Sequence, residues 1–160
     1  MKSFFMFIAA VLISFIPGAI GVLFTPVMGH TDEWFNSLAQ SALTPPPLAF
    51  SVAWTILYFL LGIALFLIWR AKGREERYGV SVAEWLFAVQ MVLNALWSYV
   101  FFGLHMPLMA VFVMVALILV SMWMAREFER VSRAAYFLVW PYIAWLLFAF
   151  YLNGVIAILN

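Results

Sequence analysis

Apolar residues run almost unbroken through five stretches of the chain, and the polar residues gather in the gaps between them. The runs predict helices over about 4–27, 48–70, 82–104, 107–127 and 134–159. Each is long enough, at ~1.5 Å per residue, to cross ~30 Å of hydrocarbon. Asp, Glu, Lys and Arg occur in them only near the ends, because a charge at the bilayer centre is costly. Transmembrane strands would alternate apolar and polar positions over about ten residues, and these runs do not. The pattern therefore predicts one all-α membrane domain, a bundle of five transmembrane helices spanning 1–160.

Composition agrees with this pattern. Of 160 residues 68% are hydrophobic and 9% charged, and mean hydropathy is +1.09. A soluble domain carries roughly 25% charged residues, and a small one leaves much of its surface in water. Lys2 followed by apolar 4–16 also resembles the start of a signal peptide. The apolar character continues through 17–27 without a clean small-x-small cleavage site, which favours a retained spanning helix.

The charges fix an expected topology. With five crossings, one face collects Lys2, Arg70, Lys72, Arg74, Arg77, Arg126, Arg130 and Arg133, which is every Lys and Arg in the chain. The long first loop on the opposite face has only Asp32 and Glu33. The positive-inside rule then puts the amino end in the cytoplasm and the carboxyl end outside, in what we expect to be a bacterial inner membrane. An even number of helices would spoil this partition. A net charge of +1 gives no sign of a nucleic-acid partner, and membrane lipid is the expected surroundings.

Candidate chemistry is sparse. The chain has no cysteine, and His30 and His105 stand alone. No Ser-His-Asp set, metal-ligand spacing or phosphate-binding glycine loop is present, so no conventional catalytic or metal site is expected. The third helix places Gln90, Asn94, Trp97 and Phe101 on one face. Amides in lipid need partners, so this face is expected to point inward, either as interhelical glue or as the polar edge of a ligand cavity. Trp54 and Tyr58 lie one turn apart on the second helix, and the fifth carries Trp140, Tyr142, Trp145, Phe148, Tyr151 and Asn153. Trp69, Trp85 and Trp140 fit interfacial anchors. Trp54, Trp97 and Trp145 lie deeper, either filling the bundle or stacking on a flat ligand. Pro17, Gly18 and Gly21 predict a kink and a close helix contact, within the bundle or in a dimer.

Three blocks resemble the TspO family, the translocator proteins or peripheral-type benzodiazepine receptors. They are Thr44-Pro45-Pro46 leading to Trp54-Thr55-Ile56-Leu57-Tyr58, then Leu93-Asn94-Ala95-Leu96-Trp97-Ser98 with Phe101-Phe102-Gly103, and Pro141-Tyr142-Ile143-Ala144-Trp145 with Phe148-Ala149 and Leu152-Asn153. The resemblance implies a five-helix bundle, often a homodimer, with a cavity capped by the first loop. It implies a porphyrin, haem-pathway tetrapyrrole, sterol or synthetic aromatic molecule as ligand, with no required cofactor. By matching positions, Phe50, Trp54, Asn94, Trp97, Trp145 and Ala149 would line the cavity. Together with Tyr58, Gln90, Phe101 and Phe148 they make up the expected ligand site. Some bacterial relatives are reported to degrade protoporphyrin in light, and the matching tryptophans here are Trp54 and Trp145. Two departures stand out. Leu43 and Leu48 replace the family's loop tryptophans, which predicts a thinner aromatic lid. Gly154 follows Asn153 and no basic residue lies in 155–160, so the sterol-recognition pattern is broken.

Overall fold

The structure, a computed structural model, describes residues 1–24, 33–71 and 77–160, with side chains in the last segment from 82 onward. Residues 25–27 of the first predicted helix, His30 and Asp32 of the first loop, and Lys72, Arg74, Glu75 and Glu76 of the second lie outside the described residues, as does the Arg77 side chain. The elements are α1 (Lys2–Ser14), α2 (Ile16–Val22), α3 (Glu33–Ser37), α4 (Pro47–Ala71), α5 (Arg77–Ser98), a π-helical turn (Tyr99–Gly103), α6 (Pro107–Val131) and α7 (Arg133–Leu159). Among the described residues five spans are long and apolar enough to cross a membrane, with α1 and α2 together forming the first. The chain is thus an all-α integral membrane protein crossing several times, as the hydrophobic pattern predicted.

The first span breaks where Pro17 removes a backbone donor. The α1 helix ends at Ser14, Phe15 caps it, and α2 restarts with the proline in its first turn. The two halves then take different neighbours, α1 lying on α4 and α2 on α5. On the other side, α6 packs against both α5 and α7, and α7 closes against α4.

Small residues set how near these helices come. A Cβ added to Gly62 would stand 2.8 Å from Val11 Cα and 2.9 Å from Ser14 Oγ. Ser14 Oγ lies 2.7 Å from the carbonyls of both Tyr58 and Val11, so its single proton stays satisfied at this contact. Gly18 lies under the Tyr58 ring, where a Cβ would come within 2.8 Å, and Gly21 faces Ser98. The small residues of the first span therefore serve contacts within the chain. Outward, α1 shows Phe4, Phe5 and Leu12, a surface suited to hydrocarbon rather than water. Of the expected anchors, Trp85 and Trp140 are exposed, whereas Trp69 is half-buried.

The Val11 backbone cannot give way cheaply to a side chain at Gly62. We expect Gly62→Ala to cost about 1–3 kcal/mol, read as a lower midpoint of thermal unfolding in detergent. Gly154→Ala should leave the midpoint unchanged or raise it, since nothing lies within 4 Å of its added Cβ. Equal midpoints for the two variants would contradict the α1–α4 approach described here.

Candidate functional site

The buried face of α5 carries the polar centre of the bundle. Gln90 and Asn94 are buried, as are Trp97 and Phe101, so the four residues share the inward face their spacing predicted. Tyr58 Oη, on α4, donates to Asn94 Oδ1 at 2.8 Å. Asn94 Nδ2 donates to Tyr142 Oη at 2.9 Å, and Tyr142 donates to Gln90 Oε1 at 2.8 Å. Asn94 thereby joins α4, α5 and α7. The amides act as interhelical glue, yet the network is not saturated. Gln90 Nε2 is buried without a partner, as is Trp145 Nε1 on α7. Buried donors normally find an acceptor, so two such atoms in one bundle invite an occupant.

Above this network lies a cluster of aromatic rings. Trp54 stacks on Tyr58 with centroids 5.4 Å apart and meets Trp97 at 6.3 Å. Its edges meet Tyr142 at 6.3 Å and Trp145 at 6.4 Å. Phe50 and Phe148 flank Trp145 at 5.3 and 5.6 Å. Trp97 stacks on Phe101 at 5.7 Å, and its indole donates to Asn153 Oδ1 at 3.1 Å. Asn153 in turn donates to the Pro107 carbonyl at 2.9 Å, tying α7 to the start of α6. Ala149 is buried on the same face of α7 as Tyr142 and Asn153.

Trp145 also borders the outside. With Phe148, Ala53, Ile56, Leu57, Pro141 and Ala144 it lines an apolar groove of about 380 Å³ between α4 and α7. Two alanines and a proline leave this space. Trp145 thus belongs both to the inner cluster and to the wall of this groove.

The end of the bundle where α5 gives way to α6 is covered by residues of the first loop. Trp34 and Phe35, on α3, meet Phe101 at 5.8 and 6.2 Å, and Phe35 also meets Phe102 at 5.7 Å. Trp34 stacks on His105 at 4.1 Å. The π-helical turn adds a residue to the end of α5, which lets adjacent Phe101 and Phe102 both take part. His105 holds a left-handed backbone, φ 54°, in the turn toward α6. The loop's far end is fastened to α7. Asn160 accepts from the Ala39 amide at 2.9 Å and donates to its carbonyl at 3.2 Å, while Ser41 Oγ lies 3.1 Å from Tyr151 Oη. The lid is therefore built from Trp34 and Phe35. Leu43 and Leu48, at the positions where the family carries tryptophan, are exposed.

All ten residues singled out from the sequence belong to this region. Its reading missed three others. Tyr142 is the centre of the network; its spacing to Ala149 and Asn153 on one helical face was the available signal. Trp34 and Phe35 lie on the five-residue α3 between the first two spans, which is too short for periodicity to mark them. His105, expected to be isolated, is exposed but stacked on Trp34.

Among the described residues no Asp, Glu, Lys or Arg lines the cluster, and no group of three or more potential metal ligands forms. The site can stack on a flat apolar molecule and donate hydrogen bonds to it. It has no acid–base pair. These features define a class: a multi-pass membrane protein with a tryptophan-rich, uncharged site inside one end of its bundle. The profile of the TspO/MBR family matches residues 8–159, and the chain belongs to that family. It is 35% identical to the Tryptophan-rich protein TspO of Chlorobaculum tepidum over 89% of this chain and 88% of the relative. Identity to the Archaeoglobus fulgidus protein of the same name is also 35%, covering 96% and 95%. The Translocator protein of Ovis aries is 31% identical, covering 91% and 86%.

Fastening of the lid can be read directly. In Asn160→Ala the Ala39 amide should exchange its hydrogen roughly threefold to tenfold faster, the loss of one modest hydrogen bond. Tyr151→Phe should give a smaller increase around Ser41. Unchanged exchange in both variants would mean that α7 does not hold the loop.

Proposed function

We propose that this protein binds a flat, largely apolar tetrapyrrole of the porphyrin or haem-pathway class between its helices, and that it senses, sequesters or moves that ligand. The observation that carries this reading is the position of Trp54. Its ring meets those of Tyr58, Trp97, Tyr142 and Trp145, beside buried donors at Gln90 Nε2 and Trp145 Nε1 that have no acceptor. Aromatic faces favour an aromatic macrocycle, and unpartnered donors favour a ligand with acceptor atoms. Similar chains named Tryptophan-rich sensory protein, in Cereibacter sphaeroides, and Translocator protein support a role in sensing or translocation. The same reading includes a homodimer and an amino end in the cytoplasm, following the charge partition. Sterol transport is less well supported, because Gly154 interrupts the pattern and presents no side chain there.

A second reading is enzymatic: light- and oxygen-dependent oxidation of the bound porphyrin, starting at Trp54 or Trp145. The perpendicular contact of these two indoles at 6.4 Å favours it.

Protoporphyrin titrated in the dark into the detergent-solubilised protein should quench tryptophan fluorescence saturably at micromolar concentration. Trp54→Ala and Asn94→Ala should each weaken binding about tenfold, or ~1.4 kcal/mol, with thermal unfolding checked alongside. Equal, unsaturable partitioning into all three proteins would sink the proposal. Illuminating the complex separates the second reading: bleaching of the macrocycle that is the same in wild type, Trp54→Phe and Trp145→Phe would remove it.

A further inference from the structure

The apolar groove between α4 and α7 lies well inside both spans. Ala53 stands six residues, about 9 Å, past the start of α4, and Phe148 eleven residues, about 16 Å, before the end of α7. At that depth an exposed side chain meets hydrocarbon, as Ile56 and Leu147 on these two helices do. A molecule that fills the groove therefore comes from the bilayer. Its volume of about 380 Å³ falls in the ~300–1,000 Å³ range of ligand clefts.

Both walls are thin at the same place. Ala53 and Ala144 carry one side-chain carbon each and line the groove from opposite helices. Pro141 has no N–H, so the Phe137 carbonyl lacks its usual donor one turn on, and helices bend most readily at such a position.

Trp145 is held differently from its neighbours in the inner cluster. Tyr58 and Tyr142 are bonded to Asn94, and Trp97 to Asn153. The Trp145 indole N–H has no acceptor, and ring contacts with Phe50, Trp54 and Phe148 keep it in place. Swinging this ring breaks no hydrogen bond. The other way in runs past the first loop, whose described part is fastened. Ala39 exchanges two hydrogen bonds with Asn160, and Trp34 and Phe35 pack on Phe101. Opening that end breaks directed bonds and bares aromatic surface.

The geometry points to a side entrance: a flat apolar ligand passes from the bilayer between α4 and α7, and Trp145 swings to admit it. Ala53 and Ala144 set the size that passes. The identity of the ligand rests on the tetrapyrrole reading above; the motion of Trp145 does not. Selection then has two stages, width at the alanines and shape at the rings.

Stopped-flow quenching of tryptophan fluorescence in the dark tests this, with the detergent-solubilised full chain mixed with micelles carrying protoporphyrin. Ala144→Phe, which narrows the groove, should slow association and dissociation about tenfold each and leave Kd within about twofold of wild type. Ala53→Phe serves if that variant does not fold. Asn160→Ala, which loosens the loop, should leave both rates as in wild type. Unchanged rates in Ala144→Phe, or faster exchange in Asn160→Ala, would overturn the entrance. So would a weaker Kd with unchanged association, since the groove would then belong to the binding site itself.

A second measurement needs no ligand. In protein labelled with fluorotryptophan, the Trp145 fluorine resonance, assigned by its absence from Trp145→Phe, should be broadened by exchange and should sharpen in Ala144→Phe. A line equally sharp in both proteins would exclude the gate. That result is distinct from a wild type that takes up no porphyrin, which would remove the ligand and leave the gate to be decided by the resonance.

Discussion

Asn94 is the residue on which the arrangement turns. Hydrocarbon supplies no water to satisfy a stray amide, so a helix carrying Asn must find partners on its neighbours. Here the carboxamide takes Tyr58 on one side and gives to Tyr142 on the other. Those two phenols hold α4 and α7 at fixed heights against α5. Because apolar side chains gain little from leaving lipid for one another, such directed contacts and close packing decide how membrane helices register. The aromatic cluster follows from that registration: Trp54 is one turn from Tyr58, and Trp145 is one turn from Tyr142. The bonds that align the phenols also bring the indoles together.

Packing on the other side is governed by Pro17 and the glycines. One proline divides the first span between two neighbours, and Gly62 lets α1 come close enough for Ser14 to reach the Tyr58 carbonyl. Gly18 leaves room for the Tyr58 ring itself. Tyr58 is thus held from behind by the first span and in front by Asn94. The close contact with α4 and the crossing to α5 arise from the same break.

Much of this was legible in the sequence because the bilayer simplifies the code. Five apolar runs with charges only at their ends predict five helices, and the spacing of Gln90, Asn94, Trp97 and Phe101 predicts their shared buried face. Asn and Gln identify themselves as inward, since lipid excludes them. Tyr142 was harder to place: a tyrosine near other aromatics serves equally as an interfacial anchor, and only its distance from the helix end and its phase with Asn153 argue otherwise. Small residues gave the presence of a close contact but not its partner, since glycine fits a neighbour in the same chain or in a second copy. Trp34 and Phe35 were beyond pattern altogether. Their role depends on a long-range bond between Ala39 and Asn160 and on the π-helical turn that presents Phe101 and Phe102, neither of which leaves a periodic trace.

The inner cluster also limits what can occupy it. Trp54, Trp97 and Trp145 already fill the space between them with their own rings, at contacts worth about 0.5–1.5 kcal/mol each beyond simple burial. A ligand entering there must part these rings and replace what it breaks. A branched aliphatic molecule restores dispersion but not the oriented ring contacts. A flat aromatic one restores both, and its acceptor atoms can take up the Trp145 and Gln90 donors that find no acceptor among the bundle's own residues. Trp145 is the ring best placed to move first. One of its faces borders the lipid-open groove beside Ala53 and Ala144, so its displacement meets small side chains rather than a packed core. Selectivity for planar ligands would then come from the cost of opening the cluster, with the hydrogen-bond donors fixing how the ligand lies once inside.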